Sequence, residues 1–269
     1  MRTKHKLIIG NCLEILPKLK NESIDLIITD PPYNIGLKYR TYKDRMKKEK
    51  YLEWCKKWLI ECARILKKKG SLYLINYPEN NAYLIPFLDK ILVFKRWLTW
   101  HYPTNCGHSK KNFTRSQRSI LFYSKTKNNI FFRNRILQSY KNPDVKKVKD
   151  RIKRGKKGRA AYDVLKLMDI YEIQKGKLDV FEFNIVKNVS KYGKNKILDH
   201  PCVLPKDLIK IFIKASSRKG DVVLDPFGGT STISVAAKEL GRNSISIDID
   251  PKYVEIGKER LRRTKFLGF

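Results

Sequence analysis

Two rhythms of apolar positions alternate along this chain. Short unbroken apolar runs, such as 26–28 and 222–224, give way to longer stretches where apolar side chains return every third or fourth residue. The first rhythm suits strands buried on both faces, and the second suits helices packed over them. Residues 6–9 predict a strand and 11–20 a short helix. Ile24–Thr29 predicts a second strand, stopped by Asp30 and Pro31. A polar loop follows over 34–46. Across 47–69, Leu52, Trp58, Leu59, Cys62, Ile65 and Leu66 fall at helical spacing, with Gly70 as the expected stop. Further strands are predicted at 71–76, 91–100 and 119–124, and a helix at 80–90. Beyond 200 the alternation resumes with a helix at 205–217, a strand at 221–225, a helix at 230–240, a strand at 243–248 and a helix at 253–261. The order predicts an α/β sheet with helices on both faces, without internal repeats.

Between about 125 and 197 the rhythm lapses. Lys, Arg, Asn and Gly predominate there, and KNPDVKKVKDRIKRGKKGR (141–159) is the densest basic run. So little apolar material cannot form its own core, so the stretch reads as an insertion with local helices. Over the whole chain, 59 Lys and Arg face 26 acids, a formal charge of +33, while 42% of residues are hydrophobic. The apolar content supports a real core. The charge opposes compactness by self-repulsion and points to a polyanionic partner. No apolar run is long enough to span a bilayer, and the one near the start is too short for a signal peptide, so a cytoplasmic location is expected. Cys12, Cys55, Cys62, Cys106 and Cys202 show no paired short spacing. Neither a metal site nor a disulfide framework is expected.

Two strand ends carry candidate chemistry. In VVLDPFGGTSTISVAAKELG (222–241) a strand ends at Asp225, and a glycine-rich turn opens a helix. Gly228 and Gly229 permit close backbone approach, and a helix start offers N–H groups to an anion. Asp225 could hold a cation nearby, and Asp248, closing the next strand, sits where doubly wound sheets bind ribose. A nucleoside with an amino-acid tail would suit this set, whereas the Gly-Lys-Ser/Thr of phosphate-binding loops is missing. In LIITDPPYNIG (26–36) the strand ends in Asp30-Pro31-Pro32-Tyr33. The prolines remove two N–H donors and leave carbonyl acceptors. With Asp30 these could grip a planar NH2, and Tyr33 could stack on the ring that carries it.

Together the motifs resemble the amino-methylating DNA methyltransferases that use S-adenosylmethionine. The tetrad matches their Asp/Asn/Ser-Pro-Pro-Tyr/Phe/Trp, and 225–232 matches DPFxGxGT, with Ser231 where a glycine is common. The catalytic motif precedes the cofactor motif, as in the beta-type order. The resemblance extends to GNCLEILPKLKNESIDLIITDPPY, to residues 100–125, to the lead-in from His200-Pro201, and to SIDIDPKYVEIGKERL. It implies a Rossmann-like methyltransferase sheet with a circularly permuted motif order. The implied division is a catalytic part (1–124), an inserted target-recognition region (125–197) and a cofactor-binding part (198–269). Catalytic roles fall on Asp30, Pro31, Pro32 and Tyr33. Cofactor roles fall on Asn11, Cys12, Asp30, His200, Pro201, Asp225, Pro226, Phe227, Gly228, Gly229, Thr230, Ser231 and Asp248. The implied reaction methylates N6 of adenine in a base flipped out of double-stranded DNA at a short recognition sequence. A restriction endonuclease as partner, and a monomer or a homodimer, fit equally.

Aspartate at the first tetrad position favours adenine, since serine is more usual in the N4-cytosine enzymes. An RNA or protein N-methyltransferase, and a silent DNA-binding module, are the competing classes; motif order opposes the first and the intact motifs the second. Candidate DNA contacts are Lys110, Lys111, Arg115, Arg118, Arg135, Lys146, Lys147, Arg151, Arg154 and Arg159. His101 and His108 are expected to be packed, Trp54, Trp58, Trp97 and Trp100 to serve the core, and no cysteine to act in catalysis.

Overall fold

In the computed structural model, which describes residues 3–37, 39–101, 110–165 and 204–267, two distant segments of the chain meet at one pair of strands. β2 (Ile24–Thr29) hydrogen-bonds to β7 (Val222–Asp225) on one side and β3 (Leu66–Asn76) on the other, parallel to both. Beyond β7 lie β8 (Asn243–Asp248) and β1 (His5–Ile9), also parallel. Beyond β3 come β5 (Gln117–Ser124), β4 (Val93–His101) and the short β6 (Val164–Leu165). The eight-stranded order is β1-β8-β7-β2-β3-β5-β4-β6, with β5 antiparallel to both of its neighbours.

Pleating divides the apolar runs between two cores. Leu26 and Ile28 face one side with Tyr73, Ile75, Ile120 and Phe122, under α5 (Lys206–Ser216) and α6 (Thr232–Glu239). Ile27 faces the other with Leu72, Leu74, Leu121 and Tyr123. That side is covered by α1 (Cys12–Ile15), α2 (Lys48–Ile65) and α3 (Pro78–Leu88). Burial on both faces explains why these strands read as unbroken apolar runs. α4 (Lys146–Lys153) buries none of its residues, and α7 (Pro251–Arg263) packs beside β1 and β8. None of the described helices is long and apolar enough to cross a membrane.

Three expectations need correction. The helix predicted over 47–69 stops at Ile65, and the chain is already extended at Leu66. Register slips there, Ile24 pairing with Leu66 but Leu26 with Ser71, so the lysine run bulges outward and Lys67 bridges Asp25 at 2.8 Å. Gly70 is needed because a Cβ there would sit 2.9 Å from the Asp25 carbonyl oxygen; it stops no helix. The helix predicted over 11–20 divides into α1 and a 3-10 turn at Leu16–Lys18, where Pro17 enters. Residues from the basic stretch after 125 also join the sheet and its core: β6 pairs with β4, and Ile136 and Leu165 are buried.

The helix expected from 230 starts at Thr232, because Ser231 adopts the left-handed conformation (φ 61°, ψ 36°) without capping the helix through its side chain. A non-glycine residue there costs about 1–2 kcal/mol. Its side chain fills space left by Gly257 of α7, where a Cβ would lie 2.3 Å from Ser231 Oγ and 2.9 Å from Ser231 Cβ. The two positions are therefore complementary. Gly257→Ala should destabilise by about 1–3 kcal/mol despite alanine's better helix propensity. Adding Ser231→Gly should recover at least about 1 kcal/mol, a coupling that a double-mutant cycle of chemical denaturation measures.

Candidate active site

Parallel sheets gather ligands at the carboxyl ends of their strands, where the direction of strand order reverses. Here that point lies between β2 and β7. Asp30 follows β2, Asp225 ends β7, Asp248 ends β8, and Gly10 and Asn11 follow β1. A solvent-open cleft of about 890 Å³ runs over these ends. Asn11, Cys12, Asp30, Pro31, Pro32, Tyr33, Pro226, Phe227, Gly229 and Asp248 all line it. The expected catalytic tetrad and much of the expected cofactor set are thus in one cavity.

The tetrad is held by side chains that the motif alone does not reveal. The Tyr33 hydroxyl donates to Asp30 Oδ1. Buried Tyr51 of α2 donates to the Pro32 carbonyl at 2.8 Å, so that acceptor is already committed, contrary to expectation. No hydrogen bond to the Pro31 carbonyl occurs among the described residues. Asn76, at the end of β3, donates to the Tyr51 hydroxyl at 3.0 Å. Asn80 of α3 donates to the Tyr33 carbonyl at 2.9 Å. Tyr33 is only 3% exposed and meets Tyr77 edge-on at 5.0 Å. The following loop folds around Asp44, whose carboxylate accepts the N–H groups of Asn34, Ile35 and Leu37 at 2.8–3.0 Å.

The glycine-rich turn is tighter and less open than expected. Phe227 donates its N–H to Asp225 Oδ1, Gly228 to the Ile247 carbonyl, Gly229 to Asp248 Oδ2 and Ser231 to the Gly228 carbonyl. These four donors are spent within the fold. A Cβ at Gly228 would lie 1.8 Å from Ser246 Oγ, so any larger residue there requires that hydroxyl to move. Thr230 turns its hydroxyl to Arg260 at 3.0 Å. Gly228, Thr230 and Ser231 therefore shape the turn and do not line the cleft. Asp225 also lies behind the wall, 3% exposed, and does not line the cleft. Asn11 caps α1 by accepting the Leu13 N–H at 3.1 Å. His200 and Pro201 lie outside the described residues.

Burial dominates the electrostatics. It pushes the Asp30 carboxyl up to about 7, while the Tyr33 hydroxyl and the Arg118 charge pull it back. Asp225 is pushed well above the usual carboxylate range by burial and by its neighbours Asp30 and Asp248. Asp248 is raised by burial, against the pull of the Asp250 and Gly229 N–H groups. Three mutually repelling acids around one cleft are a poor arrangement for an empty cavity and a good one for a cationic ligand. Cys12 and Cys55 are buried and pushed up to about 12, which leaves no thiolate for nucleophilic work.

Sequence reasoning missed the aromatic wall. Tyr39, Tyr42, Trp54 and Tyr253 line the cleft, as do Thr41 and Ile249. Trp54 stacks with Tyr42 at 6.3 Å and packs on Phe227 at 5.4 Å. Trp54, expected to serve the core, packs against it and also lines the cleft from α2. Arg40 pairs with Asp250 at 3.4 Å. The residues fit S-adenosylmethionine: an aromatic wall for the adenine ring, Asp248 for a ribose, and negative charge for the sulfonium and ammonium.

The basic candidates separate into two groups. Lys110, Lys111, Lys146, Lys147, Arg151 and Arg154 are exposed. The rest have structural partners. Arg118 is buried over the Tyr33 and Tyr77 rings, and Arg115 pairs with Glu79. Arg135 donates to the Ser217 carbonyl at 3.1 Å, and Arg159 to that of Ser139 at 3.0 Å. Trp58 and Trp100 are buried as expected. His101 ends β4, and His108 lies outside the described residues.

Comparison with known proteins agrees with this geometry. The family model N6_N4_Mtase, described as DNA methylase, matches residues 24–259. The Type II methyltransferase M.HpaI of Haemophilus parainfluenzae is 34% identical over 266 residues, covering 98% of this chain and 76% of the relative. The DNA adenine methyltransferase YhdJ of Escherichia coli is 33% identical over 260 residues, covering 95% and 82%. Among solved structures, the PvuII DNA methyltransferase (cytosine-N4-specific) superposes with a TM-score of 0.69 at 18% identity, covering 97% of this chain and 87% of that one. The TTHA0409 protein of Thermus thermophilus, complexed with S-adenosyl-L-methionine, gives 0.62 at 20%, covering 98% and 96%. The chain belongs to the N6_N4_Mtase family of DNA methylases, and it is an S-adenosylmethionine-dependent DNA methyltransferase.

Proposed function

We propose that this enzyme methylates the N6 amino group of adenine at a specific short sequence in double-stranded DNA, as the modifying member of a restriction system. The observation that carries this reading is the position of Asp30-Pro31-Pro32-Tyr33 at the end of β2, one strand from Asp225. Aspartate at the head of the tetrad, and a 33%-identical relative named as a DNA adenine methyltransferase, favour adenine over N4 of cytosine. The +33 charge and the exposed lysines of α4 supply the phosphate attraction that duplex binding needs.

Bound S-adenosylmethionine supplies an electrophilic methyl group on a sulfonium. The chain's part is to make a poor nucleophile reactive. Asp30 and the Pro31 carbonyl accept the two hydrogens of the target amine. That concentrates electron density on nitrogen and aligns its lone pair with the methyl carbon. Such alignment contributes about 7–11 kcal/mol in favourable systems. Tyr33 lines the cleft where the extruded base would lie, and a stacked base typically gains about 1–3 kcal/mol once part of this buried ring is uncovered. On transfer the methyl group would exchange its bond to sulfur for one to nitrogen, and the surplus proton would pass from nitrogen to solvent through the open cleft. No covalent enzyme intermediate is required.

Incubating duplex DNA with enzyme and labelled donor, then digesting to nucleosides, should yield N6-methyladenine; N4-methylcytosine would overturn the adenine reading. Asp30→Ala should lower single-turnover methyl transfer by at least about a hundredfold, within the usual range for losing a group that acts on the reacting atom, while cofactor affinity changes far less. A variant within about tenfold of the native rate would remove Asp30 from the chemistry.

The acids also set a pH dependence. Asp30 is raised to about 7, and Asp225 and Asp248 are raised as well, so the ligand-free protein is partly protonated at neutral pH. Ionising these groups opposes folding, so the ligand-free protein should lose stability as pH rises through about 7. A cationic ligand favours the ionised forms. Cofactor affinity should therefore rise across the same interval, with protons released on binding below it. Calorimetry in buffers of different ionisation enthalpy measures both, and affinity that is flat or falling with pH contradicts this electrostatic reading.

A further inference from the structure

Arg118 was a candidate for DNA contact, but the fold places it elsewhere. It stands on β5, opposite Trp100 of β4, and is 8% exposed. Its guanidinium carbon lies 4.1 Å from the Tyr77 ring centroid and 5.3 Å from that of Tyr33. Tyr77 in turn meets Tyr33 edge-on, and the Tyr33 hydroxyl donates to Asp30. A continuous line of contacts thus runs from β5 to the carboxylate of the tetrad. Nothing in the DPPY motif requires a cation here.

We infer that Arg118 is a positioning residue of the active site, which fixes Tyr33 by cation–π stacking and keeps a positive charge beside Asp30. A guanidinium over an aromatic face is held by the ring quadrupole, more strongly when desolvated, and its flat shape stacks where an ammonium cannot. The stack holds the Tyr33 ring so that its hydroxyl points at Asp30. The charge opposes burial, which drives Asp30 toward its neutral form. A neutral carboxylic acid has one oxygen occupied by its own proton and is a weaker acceptor for the target amine. Among the described residues, the groups facing Asp30 are Tyr33 from its own loop, Asp225 from β7 and Arg118 from β5, with Asp248 of β8 beyond Asp225, and Arg118 is the cation of this set. Arg115, which shares the Tyr77 ring at 4.1 Å, has its charge matched by Glu79.

This inference rests on Asp30 accepting the target amine, and the test separates the two. In the full-length enzyme, the 13C side-chain carboxyl signal of Asp30, assigned by its loss in Asp30→Asn, is titrated in native protein and in Arg118→Met and Arg118→Gln. The Asp30 midpoint should rise by about one pH unit or more in both variants, and Arg118→Lys should stay close to native. In single turnover with saturating cofactor, the acidic limb of the pH–rate profile should move by the same amount. The Arg118→Met rate should fall about tenfold at neutral pH and recover in alkali. Tyr77→Leu, which leaves Arg118 in place but strips one ring from the stack, should move the limb in the same direction by less. A role in sheet packing alone would lower the melting temperature and leave the titration where it was. An unmoved Asp30 midpoint in both Arg118→Met and Arg118→Gln overturns the inference. A moved midpoint with a fully active Asp30→Asn upholds it and overturns the role assigned to Asp30 instead.

Discussion

The pairing of β2 with β7 is the constraint on which the site depends. Leu26 lies opposite Val223 and Ile27 opposite Leu224, joining segments nearly the whole chain apart. In this register Asp30 and Asp225 leave the sheet side by side. A slip by one residue would turn Leu26 and Ile28 away from the core they share with Ile209 and Phe212, and Ile27 away from Leu59 and Cys62. Because both faces of β2 are buried, such a slip would expose or mismatch every residue of the strand. The catalytic geometry is therefore fixed by the same apolar burial that stabilises the domain.

That geometry carries an electrostatic cost. Three carboxylates crowd a cleft with aromatic walls, and each one raises the energy of ionising the next. The fold offsets part of this with directed N–H groups: Asp248 takes those of Gly229 and Asp250, and Asp225 takes that of Phe227. The turn that resembles an anion cradle in sequence is thus spent on holding its own acids. The negative field left over is complementary to a ligand with two positive centres. Selectivity for such a ligand follows from preorganised charge and from Trp54, Tyr42 and Phe227, and a flexible loop is not required for it.

Much of this was legible in the sequence, because signals agreed across levels. Ile24–Thr29 and Asn243–Asp248 were bounded correctly, since apolar runs ended abruptly at acids. The motifs marked the strand ends that form the cleft. What was illegible depended on long-range contacts. The early end of α2 follows from a bulge that pairs Lys67 with Asp25, and helical spacing alone continues past it. The support of the tetrad by Tyr51, Asn76 and Asn80 comes from three separate elements, none near it in sequence. Arg118 lies in a basic stretch and reads as a phosphate ligand until β5 carries it under the tyrosines. The left-handed Ser231 is invisible for a different reason: its cost is tolerated only because Gly257, a turn and a helix away, leaves room.

The division of labour between the core and the basic stretch around α4 follows from the same burial argument. β2, β3 and β5 are covered on both faces without help from the exposed helix α4, and that helix buries none of its residues. The described residues between 125 and 165 touch the core at Ile136, Leu165 and the short strand β6, and a Gln138–Arg159 bridge ties the stretch to itself. Changes to the exposed charges of α4 therefore leave the packing that places Asp30 beside Asp225 undisturbed. The exposed charge of α4 can therefore vary while the geometry at the strand ends stays fixed. The high positive charge is tolerable for the same reason, since much of it stands on segments whose repulsion is not borne by the sheet.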